Sequence, residues 1–545
     1  MFPYRALKYD PRRIPTTENQ VEVNRLSISQ YAVAYMCCFQ VDALERDVVQ
    51  VLHLVRSMKN SFALINRIPP DILSFLPDFY DGDDDEEGGG EGKDKDIIAL
   101  THVCCRWRDT FISRPSLWNR LDLGNVDKTR TYLQRSRSFP LKIHLGWREA
   151  IDEAAILIIP HIRRLQSLTI RAQYLPSVLG HFRLDTPLLE RFSIQIPGEF
   201  QPNPLLDSSL FNADISSLRE LRLEGVTTHF PWTNLANLQV VSLGSDFYSY
   251  GMTRILDFLE SAPLLHTLSL RYQLPHSSDA SPNRVVSLPH LKALTIDADL
   301  PHSVLLRHLH IPVGASLTSK GDFNGGTPLI DYLPEIPPNL ENLSHITAIN
   351  LLFLPRRTFT QLTGPSGSLR VLPSWIHDPP NAIDRYILSS LGRPTLSKIG
   401  RLVVSSYKHA RSIEVEECPI FRSLSSANNL RTLVLVDCQH LPFVLALDPK
   451  QNPSDPVLCP NMEELVLYAN DWLGQLPDEC FLDMARNRAL RGAKLSSITF
   501  VDRRGGDRKE MVLKLKEHVD RVECRADDAL LDWDHIPCEN CGESG

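Results

Sequence analysis

The sequence predicts an all-α module near its N-terminal end, followed by an α/β solenoid of repeated strands. Three observations predict it: a seam of apolar residues at heptad spacing around residue 50, two apolar helix patterns between residues 68 and 118, and a spaced apolar triplet recurring from about residue 140. At 545 residues the chain is too long for one compact core, so several domains or one extended repeat array are expected. Hydrophobic residues make up 43% and charged residues 23%, which is ordinary globular usage and argues against wholesale disorder.

Taken in order, residues 1–27 are polar and aperiodic and are expected to be disordered. A helix is expected over 28–66. Its residues Leu44, Val48, Val51, Val55, Met58, Phe62 and Ile65 step alternately by 4 and 3, which places them on one helix face. The preferred expectation is that this face packs inside its own chain, with a homodimer zipper as the alternative. A module at 67–121 comes next. Pro69, Pro70 and Asp71 suit a helix start, because the missing N–H costs nothing there and the acid faces the positive end of the helix dipole. Ile72, Leu73, Phe75 and Leu76 make that short helix apolar. The acidic, glycine-rich stretch 80–96 is expected to be a disordered loop. After it, Leu100, Val103, Cys104, Trp107 and Phe111 fall on one helical stripe, which Arg114-Pro115 ends.

From about residue 140 to 524 the pattern becomes apolar, two residues, apolar, one residue, apolar. Examples are Leu165/Leu168/Ile170, Leu189/Phe192/Ile194, Leu218/Leu221/Leu223, Leu238/Val241/Leu243, Leu265/Leu268/Leu270 and Leu291/Leu294/Ile296, whose first positions lie 24, 29, 20, 27 and 26 apart. A weaker copy, Leu306/Leu309/Ile311, comes next. Further copies start at Ile346, Ile399, Leu430, Met462 and Leu495. This is the L-x-x-L-x-L signature of leucine-rich repeats. A strand plus helix of about 25 residues cannot cover its own apolar face, and stacking copies supplies a continuous core. The intervals 271–287, 318–345 and 355–382 are rich in Pro, Gly, Ser and Asn and read as protruding loops. Residues 525–545 read as a flexible tail.

At Ile68–Leu123 the sequence resembles the F-box family, through I-P-P-D-I-L, L-T-H-V-C-C-R-W-R-D and P-S-L-W. It is most similar to the F-box-like proteins abundant in mushroom-forming fungi, which carry a heptad-like helix before the box and irregular leucine-rich repeats after it. The segment T-Y-L-Q-R-S-R-S-F-P-L-K-I at Thr131–Ile143 is similar to the element that comes after the box in that group. The resulting expectation is an all-α N-terminal F-box module followed by an α/β leucine-rich-repeat-like solenoid. The resemblance implies a substrate receptor of a Skp-cullin-F-box-type ubiquitin ligase, which binds a Skp-family adaptor and, through it, a cullin scaffold, while the repeats hold an unknown protein substrate. The adaptor-binding positions it implies are Ile68, Pro69, Ile72 and Leu73, then Leu100, Val103, Cys104 and Trp107, then Leu117 and Trp118. Pro69, Leu100, Cys104 and Trp118 are the ones expected to reach the partner, with Trp107 as core. The family joins the two helices by a short link, and here the acidic stretch intervenes. Loop closure costs only ~0.6 kcal/mol per doubling of length, so the box is expected to survive it.

Other functions find little support. The formal charge is -8, and Asp78–Asp96 alone, with ten acids and two lysines, accounts for it. The balanced remainder offers no field for nucleic acid. The opening MFPYRALKYDPRR has no apolar core, and the longest apolar run, Tyr31–Phe39, is far short of the roughly 18 residues that a membrane span needs. An intracellular protein with reduced thiols, cytoplasmic or nuclear, is therefore expected from the 11 cysteines. Asp81–Asp85 resembles the start of an EF-hand loop, but Glu86 and Gly92 occupy the positions of its glycine and glutamate. A phosphate loop at Gly88–Lys93 fails at Glu87 and Asp94. Cys538-x-x-Cys541 supplies two zinc ligands where four are wanted. No G-x-S-x-G or H-E-x-x-H occurs. No enzyme, cofactor or metal is expected. The alternatives are a leucine-rich-repeat scaffold not coupled to ubiquitination, and an enzyme using the loops near 318–380.

Overall fold

A computed structural model describes residues 19–80, 91–146, 153, 156–172, 179–180, 182–196, 205–206, 210–213, 215–228, 235–244, 252–272, 284–298, 303–321, 339–354, 357–373, 398–406, 424, 427–436, 440–449, 457–469, 477–502 and 509–525. The chain divides into two compact units. One comprises Met1–Asn119 with Thr131–Phe139, and the other Arg120–Arg130 with Pro140–Gly545.

The first unit is helical. α1 spans Asn19–Ser61, α2 Pro70–Ser74, α3 Glu91–Thr101 and α4 Cys105–Ile112, with 3-10 turns at Leu64–Arg67, Leu76–Tyr80 and Pro115–Trp118. Several expectations are corrected here. The first helix starts at Asn19, inside the stretch expected to be disordered, and ends at Ser61, so Phe62 and Ile65 lie beyond it. Its seam does not pack inside the chain, since Leu44, Val48, Val51, Val55 and Met58 are all exposed. Residues 91–96 of the acidic stretch are helical, in keeping with the good helix propensity of Glu and Lys. The residues 81–90, with the EF-hand-like and phosphate-loop-like motifs, lie outside the described residues. The stripe expected on one helix is split between α3 and α4, with Cys104 extended at the break.

The second unit is built on one sheet of 17 strands. In chain order they are β1 Arg120–Asp122, β2 Leu141–Leu145, β3 Leu165–Arg171, β4 Arg191–Gln195, β5 Glu220–Glu224, β6 Val240–Gly244, β7 Thr267–Tyr272, β8 Ala293–Ala298 and β9 Ser316–Gly321. Then come β10 Ala348–Leu354, β11 Arg357–Gly364, β12 Gly367–Pro373, β13 Arg401–Ser406, β14 Thr432–Val436, β15 Glu464–Ala469, β16 Ser497–Asp502 and β17 Arg521–Arg525. Pairing is parallel from β1 to β9 in chain order. β9 then pairs with β12, β12 with β11 and β11 with β10, the last two antiparallel, and parallel order resumes from β10 through β13 to β17.

The expected all-α F-box module followed by an α/β leucine-rich-repeat solenoid is therefore corrected. The N-terminal helices are the one helical module among the described residues, and the second unit is a strand-rich, mixed sheet. The further helices among the described residues are α5 Val126–Ser136, which the division between the units cuts, and α6 Met252–Glu260, α7 Ser303–Leu306, α8 His440–Leu447, α9 Asp478–Leu490 and α10 Lys509–Leu515 in the second unit. The interval 355–382, expected to protrude as a loop, holds the antiparallel strands β11 and β12. Its turn needs Gly367 at φ +146, where an added Cβ would sit 2.6 Å from the Ala315 carbonyl oxygen. The weak triplet around Leu309 does not enter the large sheet. Leu309–His310 pairs with Val286–Ser287 in a separate sheet, and β9 takes the place with Leu317.

The core is a ladder across the whole sheet. From β1 the register runs Leu121, Ile143, Leu168, Phe192, Leu221, Val241, Leu268, Leu294 and Leu317. It continues through Leu369, Leu362, Ile349, Leu402, Leu433, Leu465, Ile498 and Val522. Every one of these residues is buried.

The opposite face changes character along the sheet. On β4–β8 it is polar: Gln195 donates to Glu224 at 3.1 Å, and Arg271 reaches Glu224 at 3.5 Å and Asp297 at 3.0 Å. Gly244, between Glu224 and Arg271 in the register, leaves the room for that reach. On β13–β16 it is apolar and also buried, through Val403, Val434, Val436, Val466, Tyr468 and Val501. At the far end Glu523 of β17 is held between Arg521 and Arg525, the latter at 2.7 Å.

Buried Arg488 on α9 donates from its two terminal nitrogens to the carbonyls of Leu458 and Cys459, both at 2.8 Å, which ties α9 to the turn before β15 while its Nε has no acceptor among the described residues. Burial pushes the neighbouring Cys459 thiol up to about 12, against the pull of Arg488. Among the described residues no helix is long and apolar enough to cross a membrane.

Two measurements check this core. Leu465→Ala removes one rung and should cost about 3 kcal/mol in denaturant unfolding, whereas Leu490→Ala, at an exposed site, should stay within about 0.5 kcal/mol. Cys459 is protonated throughout the range in which iodoacetamide labels ordinary thiols. It should stay unlabelled at pH 8 while exposed Cys105 reacts, and become labelled on unfolding; labelling of native Cys459 at the rate of Cys105 contradicts the burial.

Candidate docking surface

The pieces of chain on either side of the acidic stretch come together, and Asn66 is the residue that joins them. Asn66 sits buried in the turn before α2. Its side-chain amide donates to the Asn60 carbonyl at 2.7 Å, and its Oδ1 accepts from Trp107 Nε1 at 2.6 Å. Cys104 Sγ lies 3.9 Å from the same oxygen. Arg106 donates to the Ile68 carbonyl, and Arg114 donates to the Ser74 carbonyl and lies 5.3 Å over the Phe75 ring. Two arginines from the α4 side thus hold the chain on both sides of α2: Arg114 takes a carbonyl that the last turn of this five-residue helix leaves without an intrahelical partner, and Arg106 takes the Ile68 carbonyl just before the helix.

The core beneath is aromatic. Trp107 meets Phe111 edge-on at 5.7 Å, and Trp118 meets Tyr132 at 5.1 Å. Trp118 Nε1 donates to the Phe111 carbonyl at 3.0 Å, and the Arg135 guanidinium lies 4.3 Å over its ring. Local sequence explains the elements. Pro70 occupies the first turn of α2 with Asp71 beside it, and Pro115 opens the turn that delivers Trp118 inward.

The ten positions singled out from the sequence separate into two groups. Leu73, Trp107, Leu117 and Trp118 are buried and form the core of the module. Trp118, expected to reach a partner, has no exposed surface. Pro69, Ile72 and Val103 are exposed, and Ile68, Leu100 and Cys104 are half-buried. Ile72 and Val103 keep 54% and 51% of their surface, and Phe75 and Phe79, not among the ten, are exposed as well. Helical spacing alone places Phe75, three residues on from Ile72, on the same face as Ile72. Nothing in the pattern marks Asn66.

No protein-family model matches the chain, and no curated protein matches it.

Beside this surface a groove of about 580 Å³ runs between α2 and α4, lined by Pro70, Asp71, Ser74, Asp109, Thr110, Ser113, Arg114 and Pro115. Two carboxylates and one guanidinium make it a polar border to the apolar residues on α2. Solvent-exposed apolar residues next to a polar border are a composition found at protein interfaces. Among the described residues no three His, Cys, Asp or Glu side chains gather as a metal site would require.

Asn66→Ala would leave the Trp107 N–H buried without an acceptor. It should destabilise the module by about 2 kcal/mol, measured by thermal or urea unfolding. In a double-mutant cycle Trp107→Phe should recover much of that cost, since it removes the orphaned donor; strictly additive losses would refute the bond.

Proposed function

We propose that this protein is a substrate-recognition subunit of a Skp-cullin-F-box-type ubiquitin ligase. The segment Ile68–Leu123 docks a Skp-family adaptor, and the strand-rich unit holds a protein target. The observation that carries the reading is the exposure of Ile72 and Val103, at positions of the I-P-P-D-I-L and L-T-H-V-C-C-R-W-R-D resemblance, on a module whose aromatic core is already filled. A closed core that still leaves apolar side chains in water is what a docking face requires.

The chemistry in this reading is proximity. The receptor holds a target beside an activated ubiquitin carried by other proteins, and the raised local concentration of target lysines accelerates transfer without a catalytic residue in this chain. Buried Trp107 and Trp118 act by shaping the surface. Ile72 and Val103, with Ile68 and Leu100 beside them in sequence, supply contact area.

The test uses purified full-length protein, a Skp-family adaptor and its cullin. The wild-type chain should retain both. Ile72→Asp with Val103→Asp should weaken adaptor binding by about 100-fold, roughly tenfold for each lost contact, with thermal melting unchanged because both sites face solvent. A folded wild-type chain that retains no adaptor would sink the ligase reading and favour a scaffold uncoupled from ubiquitination. Equal binding by the double variant would move the interface elsewhere.

A further inference from the structure

α1 carries an apolar seam that its own chain leaves in water. Cys37, Val41, Leu44, Val48, Val51, Val55 and Met58 step by 4, 3, 4, 3, 4 and 3 along one uninterrupted helix. From Val41 to Met58 these residues are between 57% and 63% exposed, and Cys37 is exposed too. A helix lying on a globular neighbour carries a broad stripe at the 3.6-residue period. A strict 3.5-residue average is the spacing that keeps a seam facing a supercoiled twin.

We infer that α1 pairs with α1 of a second copy of this chain as a parallel, in-register coiled coil. The residue types agree with two strands. Val41, Val48 and Val55 put β-branched side chains at one core position, and Leu44 and Met58 put unbranched-β side chains at the other, with Val51 the exception. The area agrees as well. A side chain of Val to Leu size withdraws on the order of 100 Å² of apolar surface, so the seam covers about 700 Å² per helix and about 1,400 Å² for the pair. A stable specific interface needs roughly 1,200–2,000 Å². From Cys37 to Met58 the seam is about 32 Å long at 1.5 Å per residue. Exposed Leu52 and Leu54 flank the seam and widen the apolar band. No charge stands in the seam itself: Asp42, Arg46 and Arg56 lie on outer faces, Glu45, Asp47 and Lys59 border the seam, and Arg46 folds back to donate to the Asp42 carbonyl at 3.1 Å.

The experiment needs no ligand and does not depend on adaptor binding. Light scattering or sedimentation of the full-length protein should give twice the 61.7 kDa chain mass. Val48→Asp with Val55→Asp should halve that mass at unchanged melting of the sheet, and Val48→Ile with Val55→Ile should keep the dimer and tighten it several-fold. Parallel register sets Cys37 against Cys37 of the second copy. Copper-phenanthroline oxidation should therefore form a Cys37–Cys37 disulfide between chains, absent in Cys37→Ser. A monomeric wild type overturns the proposal, as does a dimer that survives the double aspartate variant. A seam-dependent dimer without the Cys37 cross-link overturns the parallel pairing.

Discussion

The register of a single apolar rung, one residue from each of 17 strands, is the constraint on which the larger unit depends. Each member from Leu121 to Val522 is buried, and each member between those two ends is held opposite its neighbours by backbone ladders on either side. A slip of one residue in any strand would turn that strand's apolar set to the opposite face. Register is therefore fixed from both sides at once, and the irregular lengths of chain between strands are tolerated because they do not have to carry it. The antiparallel detour through β10–β12 illustrates this: strand order reverses locally, yet Leu369, Leu362 and Ile349 continue the rung.

The helical unit solves a different problem. Apart from α1 its segments are short, and α2 has five residues. Such a helix is marginal in water by itself, because one turn fixes many dihedrals for few hydrogen bonds. Arg114 supplies a partner to its last carbonyl from forty residues away, Arg106 holds the Ile68 carbonyl just before it, and Asn66 ties the preceding turn to Trp107. Polar groups stitch the segments and aromatic rings fill the centre, while Ile72 and Phe75 of the α2 region stay exposed.

Much of this was legible in the sequence where burial imposes a period. The apolar-x-apolar pairs at 168–170, 221–223, 268–270, 433–435 and 465–467 all lie in strands, because one buried face writes an alternation into the residues. The fold class derived from them was not correct. Spacing between strands does not say whether a helix fills the interval, and Pro365 and the flanking glycines disguised a hairpin as a loop. The second buried face was visible in principle. Leu433–Val436 and Leu465–Tyr468 are unbroken apolar runs, the mark of a strand covered on both sides. In the candidate surface, composition separated the helices but not their inner from their outer residues. Trp118 is large and apolar and could serve either role, and only the Phe111 carbonyl and the Arg135 guanidinium decide that it points inward. Asn66 was out of reach, since a single amide carries no periodicity.

A sheet this wide also has margins, and β17 is one of them: among the described residues it pairs with β16 alone. An unpaired strand margin invites a foreign strand to zip on, which is how extended sheets begin to aggregate. Here the last strand reads R-V-E-C-R, and Arg521, Glu523 and Arg525 are already locked to one another. An incoming strand would have to strip water from that trio or break it apart. The charges on this strand thus act as a terminator at one margin of the described sheet.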